Sequence, residues 1–153
     1  MKIVYLSKTE IEKEMAQIFI DKVNENPNCV LGLATGSSPI GIYRNMIKAY
    51  QEGKVSFKNV TTFNLDEYLG LDGNHDQSYR YFMNHNLFNH IDINKENTHV
   101  PSGFVRSDEE AAKYDEEIAL KGGIDIQLLG LGSDGHIAFN EPNTPFDTLT
   151  HIA

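Results

Sequence analysis

The chain has one cysteine, Cys29, no apolar run of membrane-spanning length, and a deficit of positive charge. A single thiol cannot form an internal disulfide, which favours a reducing, cytoplasmic setting. A membrane helix needs about 20 consecutive apolar residues, so no spanning segment is expected. The N-terminal "MKIVYLSKTE" also lacks a signal peptide's apolar core. With 13 basic against 22 acidic residues, the net charge is -9. Nucleic-acid surfaces are basic, so a nucleic-acid partner is not expected. Repeats, low-complexity tracts and linkers are missing too. What remains is 153 residues of ordinary globular composition, enough for one domain with a buried core.

Strand and helix signals alternate. "KIVYL" (Lys2–Leu6) reads as a strand. "SKTE" (Ser7–Glu10) is a capping box, after which Ile11, Met15, Ile18, Phe19 and Val23 share a helical face. "CVLGLA" (Cys29–Ala34) is continuously apolar, as a strand buried on both faces should be. A helix is expected from Pro39 to Glu52, stopped by Gly53. "VTTFNL" (Val60–Leu65) is a β-branched and aromatic strand. Ser78 opens a helix bearing Tyr79, Phe82 and Leu87. "SDEE" (Ser107–Glu110) is a second capping box, its helix ending at Gly122 and Gly123. "IDIQLLGLG" (Ile124–Gly132) is the last strand. The alternation predicts an α/β fold, a doubly wound, mostly parallel sheet with helices on both faces. Such folds bind ligands beyond the C-terminal ends of their strands.

Three strand ends carry chemistry. Thr35, Gly36, Ser37 and Ser38 precede a helix start, where free N–H groups and the helix dipole favour an anion such as phosphate. The Gly-Lys-Ser/Thr ending of a Walker motif is absent, and the same residues also suit an ordinary N-cap turn. In "FNLDEYLGL", Asp66 and Glu67 are adjacent. Strand neighbours point to opposite faces, so at most one enters a given crevice. A carboxylate shielded from water there gains a raised pKa and can exchange protons with carbon; exposed, the pair is merely an acidic loop. In "LGLGSDGHIAFNEP", Gly130, Gly132 and Gly135 permit tight turns. His136 could be flanked by Asp134 and Glu141, or could be a structural His after a turn. His75, His85, His90, His99 and His151 show no metal-ligand spacing, so no metal site is expected. The aromatics of "SYRYFMNHNLF" read as surface and core positions.

The segments "LGLATGSSP", "TTFNLDEYLGL" and "GLGSDGHIAFNEP" resemble the glucosamine-6-phosphate deaminase (isomerising) family along essentially the whole chain. The related 6-phosphogluconolactonases share the fold and a "DGH" element but usually lack "IAFNEP". The resemblance implies a Rossmann-like sugar-phosphate fold. It implies conversion of glucosamine 6-phosphate and water to fructose 6-phosphate and ammonia, with no cofactor and no metal. By the same resemblance, Asp66 moves a proton between sugar carbons 2 and 1. Asp134, His136 and Glu141 form the ring-opening group, and Thr35, Gly36, Ser37 and Ser38 belong to the phosphate loop.

Family members continue beyond "DTLTHIA" with basic residues that clamp the phosphate. The expectation is therefore a single domain over 1–153, incomplete at its C-terminus, with little activity by itself. Allosteric members, activated by N-acetylglucosamine 6-phosphate, carry basic residues where His151 and Ala153 stand here. The resemblance gives no support for such activation and leaves the oligomeric state open. A lactonase-like hydrolase and a non-catalytic sugar-phosphate-binding module are the alternatives.

Overall fold

A computed structural model describes residues 1–153. The ordered elements are α1 (Lys8–Glu25), β1 (Val30–Leu33), α2 (Ile40–Gln51), β2 (Thr61–Asn64), α3 (Tyr79–Asn86), β3 (Thr98–His99), α4 (Asp108–Ala111), α5 (Lys113–Leu120) and β4 (Ile126–Gln127). The four strands form one parallel sheet in the order β3-β2-β1-β4. The chain steps from β1 through β2 to β3, then returns to lay β4 on the other side of β1. That reversal opens a crevice between β1 and β4.

Local chemistry sets most boundaries. The Ser7 side chain accepts from Glu10 N–H while Glu10 reaches back to Ser7 N–H, closing the capping box at α1. Ser78 caps α3 by accepting from Tyr81 N–H at 3.0 Å. Gly53 has φ +72° and Gly122 φ +88°, a left-handed backbone that ends a helix at little cost only for glycine. β1 is buried at all four positions. Leu31 and Leu33 face a core built with Phe19 and Ile20 of α1 and Tyr43 and Met46 of α2. Val30 and Phe63 face the opposite side against Tyr114 of α5. Phe63 stacks on the His99 ring at 4.6 Å, and the Tyr114 hydroxyl donates to the Asn64 carbonyl at 2.6 Å.

Four expectations are corrected. Lys2–Leu6 is no strand: a strand needs a ladder partner, and the sheet offers it none, so Tyr5 is 92% exposed. Ile11 and Ile18 do not join the α1 core face. Ala16, Phe19, Ile20 and Val23 do, and Ile18 lies about 100° round the helix from Phe19. The strand expected over 124–132 is ladder-paired only at Ile126 and Gln127. As an edge it has β1 on one side alone, and beyond Leu128 the chain turns away, leaving Leu131 76% exposed. The Ser107–Glu110 capping box is half formed. Ser107 accepts from Glu110 N–H, but Glu110 takes the Arg106 N–H, and the helix breaks at Ala112.

Candidate active site

The C-terminal end of β1 delivers Thr35 and Gly36 to the crevice. Tyr43, fully buried in α2, pins this exit. Its hydroxyl donates to the Ala34 carbonyl at 2.5 Å and accepts from Ala34 N–H at 3.1 Å. Gly36 has φ +92°. No side chain caps α2, and its first turn holds no acidic residue, so the helix start keeps free N–H groups and a favourable dipole. Thr35, Gly36 and Ser38 line a cleft of about 290 Å³, whereas Ser37 does not.

β2 ends at Asn64, and the two carboxylates after it diverge. Asp66 enters the cleft. Glu67 turns the other way, accepting from Tyr79 N–H at 2.8 Å and Arg80 N–H at 3.0 Å. Burial, and then the Glu67 charge, push the Asp66 carboxyl up to about 6. A carboxyl raised this far suits proton exchange closer to neutrality than an ordinary one does.

Beyond β4 the chain makes a tight turn, Gly135 N–H donating to the Gly132 carbonyl at 3.0 Å and Gly132 N–H to the His136 carbonyl at 2.9 Å. The imidazole folds back onto Gly132, where a Cβ would lie 2.3 Å from the ring. Hence only glycine fits there with this ring position. His136 Nδ1 lies 2.5 Å from Asp134 Oδ1, and Asp134 also accepts from His136 N–H at 3.2 Å. Those two contacts hold the exposed Asp134 carboxyl below its ordinary range. His136 lines the cleft with Asp66.

Glu141 does not complete a carboxylate–His–carboxylate group. Ala138, at φ +54°, and an Asn140 N–H bond to the Ile137 carbonyl reverse the chain after His136. Phe139 then turns inward and Glu141 faces an adjoining cleft of about 700 Å³. The two clefts share Leu65, Asp66, Ala138 and Phe139, so Asp66 stands at their junction. No three His, Cys, Asp or Glu side chains converge as a metal ion needs.

Tyr79 was not among the site residues expected from sequence. It lines the cleft, its ring packed 4.9 Å from Tyr68 and 5.7 Å from Phe139. Burial pushes its phenol up, so it remains a donor, placed 3.2 Å from the Tyr68 hydroxyl. Its signal was position: directly after the Ser78 cap, it lies at a helix start that faces the strand ends.

Fold and site together define a doubly wound α/β protein that presents acid–base side chains and a hydroxyl-rich loop at its switch point. The chain belongs to the glucosamine-6-phosphate isomerase/6-phosphogluconolactonase family, whose sequence model matches residues 7–145. It is 52% identical over 151 residues to a glucosamine-6-phosphate deaminase of Thermoanaerobacter sp. (strain X514), covering 98% of this chain and 60% of that protein. A deaminase of Cellvibrio japonicus is 52% identical over 154 residues, with 99% and 59% covered. The chain thus spans about 60% of the length of these relatives. A solved monomeric glucosamine-6-phosphate deaminase superposes with TM-score 0.94 at 42% identity, over 99% of this chain and 64% of that one. The 6-phosphogluconolactonase of Thermotoga maritima shares the fold, with TM-score 0.70 at 23% identity over 90% of this chain and 62% of that one.

Proposed function

We propose that this chain serves glucosamine-6-phosphate deamination, forming fructose 6-phosphate and ammonia from glucosamine 6-phosphate and water. One observation carries the reading. Asp66, a carboxyl shielded from water and so raised above its ordinary range, shares a cleft with the His136–Asp134 pair and the Gly36 loop. The curated relatives named above, deaminases at 52% identity, support the same substrate.

Two chemical tasks need two separated groups. Ring opening needs a proton at the ring oxygen, and His136, oriented by Asp134, suits that exchange. The carbon-2 proton then moves to carbon 1, which Asp66 carries out as base and then acid. The resulting imine at carbon 2 takes up water and releases ammonia, so the new oxygen comes from water. The sugar's phosphate meets the helix start behind Gly36 through N–H groups and the Thr35 and Ser38 hydroxyls. Glu141 acts from the adjoining cleft rather than by direct contact with His136. The reading extends to amino-sugar catabolism in a cytoplasmic setting, as a hydrolase acting on N-acetylglucosamine-derived substrate.

The test is formation of ammonia and fructose 6-phosphate from glucosamine 6-phosphate, with 6-phosphogluconolactone as the competing substrate. In a chain carrying the full length of its relatives, Asp66→Asn should lower deamination by at least about 100-fold, the usual scale for losing a general base. Faster hydrolysis of the lactone, or full deamination by Asp66→Asn, overturns the reading.

A further inference from the structure

Glu67 is the neighbour of the candidate base, yet its carboxylate avoids the 290 Å³ cleft and takes three backbone N–H groups. Oε1 accepts from Tyr68 at 2.9 Å and Tyr79 at 2.8 Å, and Oε2 accepts from Arg80 at 3.0 Å. Two of these donors are the first N–H groups of α3, which have no intrahelical acceptor. α3 is itself fixed to the sheet. The Arg80 guanidinium donates to the Thr98 hydroxyl at 2.7 Å and the Thr98 carbonyl at 2.8 Å, at the start of β3. The far end of the 66–71 loop is held by Gly70 N–H, 2.7 Å from the Gly103 carbonyl.

We propose that Glu67 is a positioning residue. Its carboxylate clasps the loop bearing Asp66 to the first turn of α3, which bears Tyr79, and so holds carboxyl and phenol on one cleft. The idea rests on the reading of Asp66 as the base only for its catalytic consequence. Charge-assisted bonds to backbone N–H are about twice as strong as neutral ones, which suits a clasp on a loop otherwise largely exposed. A glutamine cannot replace it, because one of its two terminal atoms is a donor facing an N–H. The clasp also keeps a negative charge beside Asp66, opposing its ionisation.

A carboxyl-carbon NMR titration of Asp66 and amide hydrogen exchange, both in the 153-residue chain, decide the matter without turnover. Asp66 should lose its proton at a pH lower by about half a unit or more in Glu67→Gln, the direction expected when a like charge leaves. Ser78→Ala removes a different cap from the same helix and should leave the Asp66 midpoint in place. In the unsubstituted chain, the Tyr79 and Arg80 amides should exchange slowly with solvent deuterium, although both stand in the first turn of α3. Equal shifts of Asp66 in both variants would reduce Glu67 to an ordinary helix cap and overturn the proposal. So would Tyr79 and Arg80 amides that exchange as fast as unbonded first-turn amides, a readout that requires no variant to fold. Neither result bears on whether glucosamine 6-phosphate is the substrate.

Discussion

Asp66 carries a cost for the fold. An unfolded Asp ionises near 3.9, whereas the folded carboxyl is raised to about 6. The native state therefore holds this proton more tightly. The penalty is absent below about pH 4, grows between 4 and 6, and is complete above 6. Asp66→Asn should stabilise the chain by up to about 3 kcal/mol at pH 7 and by little at pH 4. Thermal unfolding at the two pH values checks this, and a variant less stable at both refutes it. Under the proposed function, deamination by a chain of its relatives' full length should follow the opposite course, falling as pH drops through about 6, because a base must be ionised to take a proton. Gly132 makes a second case. A methyl group there meets the His136 ring, so Gly132→Ala should displace the imidazole and shift its ring-proton resonances while the sheet's amide signals stay.

At the scale of elements, the cleft depends on how strands are seated. Phe63 is fully buried between His99 and Tyr114, and it sits three residues before Asp66. Phe63→Ala should cost about 3–5 kcal/mol, a large share of a typical domain's total, seen as a lowered denaturant midpoint. Tyr43 acts on the neighbouring strand end. Tyr43→Phe removes both hydroxyl bonds to Ala34 and should cost about 1–3 kcal/mol by leaving buried groups unpaired. Its selective effect should be weaker phosphate-ester binding, since Ala34 leads directly into Thr35 and Gly36. Much of this architecture was legible in sequence because caps and apolar runs are local signals: Ser7, Ser78, Gly53 and the run through β1 all act as read. The N-terminal strand was misread because pairing is not local. The apolar run in "KIVYL" describes a strand by composition, and no strand of the sheet pairs with it.

For the molecule as a whole, Cys29 is a convenient reporter. It is fully buried just before β1, and burial pushes its thiol up to about 11. Reaction with a thiol reagent should therefore wait on opening of the central sheet, at a rate that tracks global unfolding. Rapid labelling under native conditions would contradict a sheet cored on β1. No helix is long and apolar enough to cross a membrane.

The helices α1 to α3, the strands β1 and β2, the parallel fold class and the three strand ends were determined by sequence alone, because periodicity and capping act over a few residues; the two-residue β3 and the break between α4 and α5 were not. The same range sufficed for the Asp134–His136 contact, two residues apart across a glycine turn. Tertiary structure decided what depends on distant chain segments. It brought Asp66 and His136, seventy positions apart, to one cleft because β1 lies between β2 and β4. It sent Glu67 to the α3 start and Glu141 to a neighbouring cleft, and it made Tyr79 a cleft residue. Carboxylates look alike in a sequence; burial and the backbone N–H groups within reach separate Asp66 from Glu67.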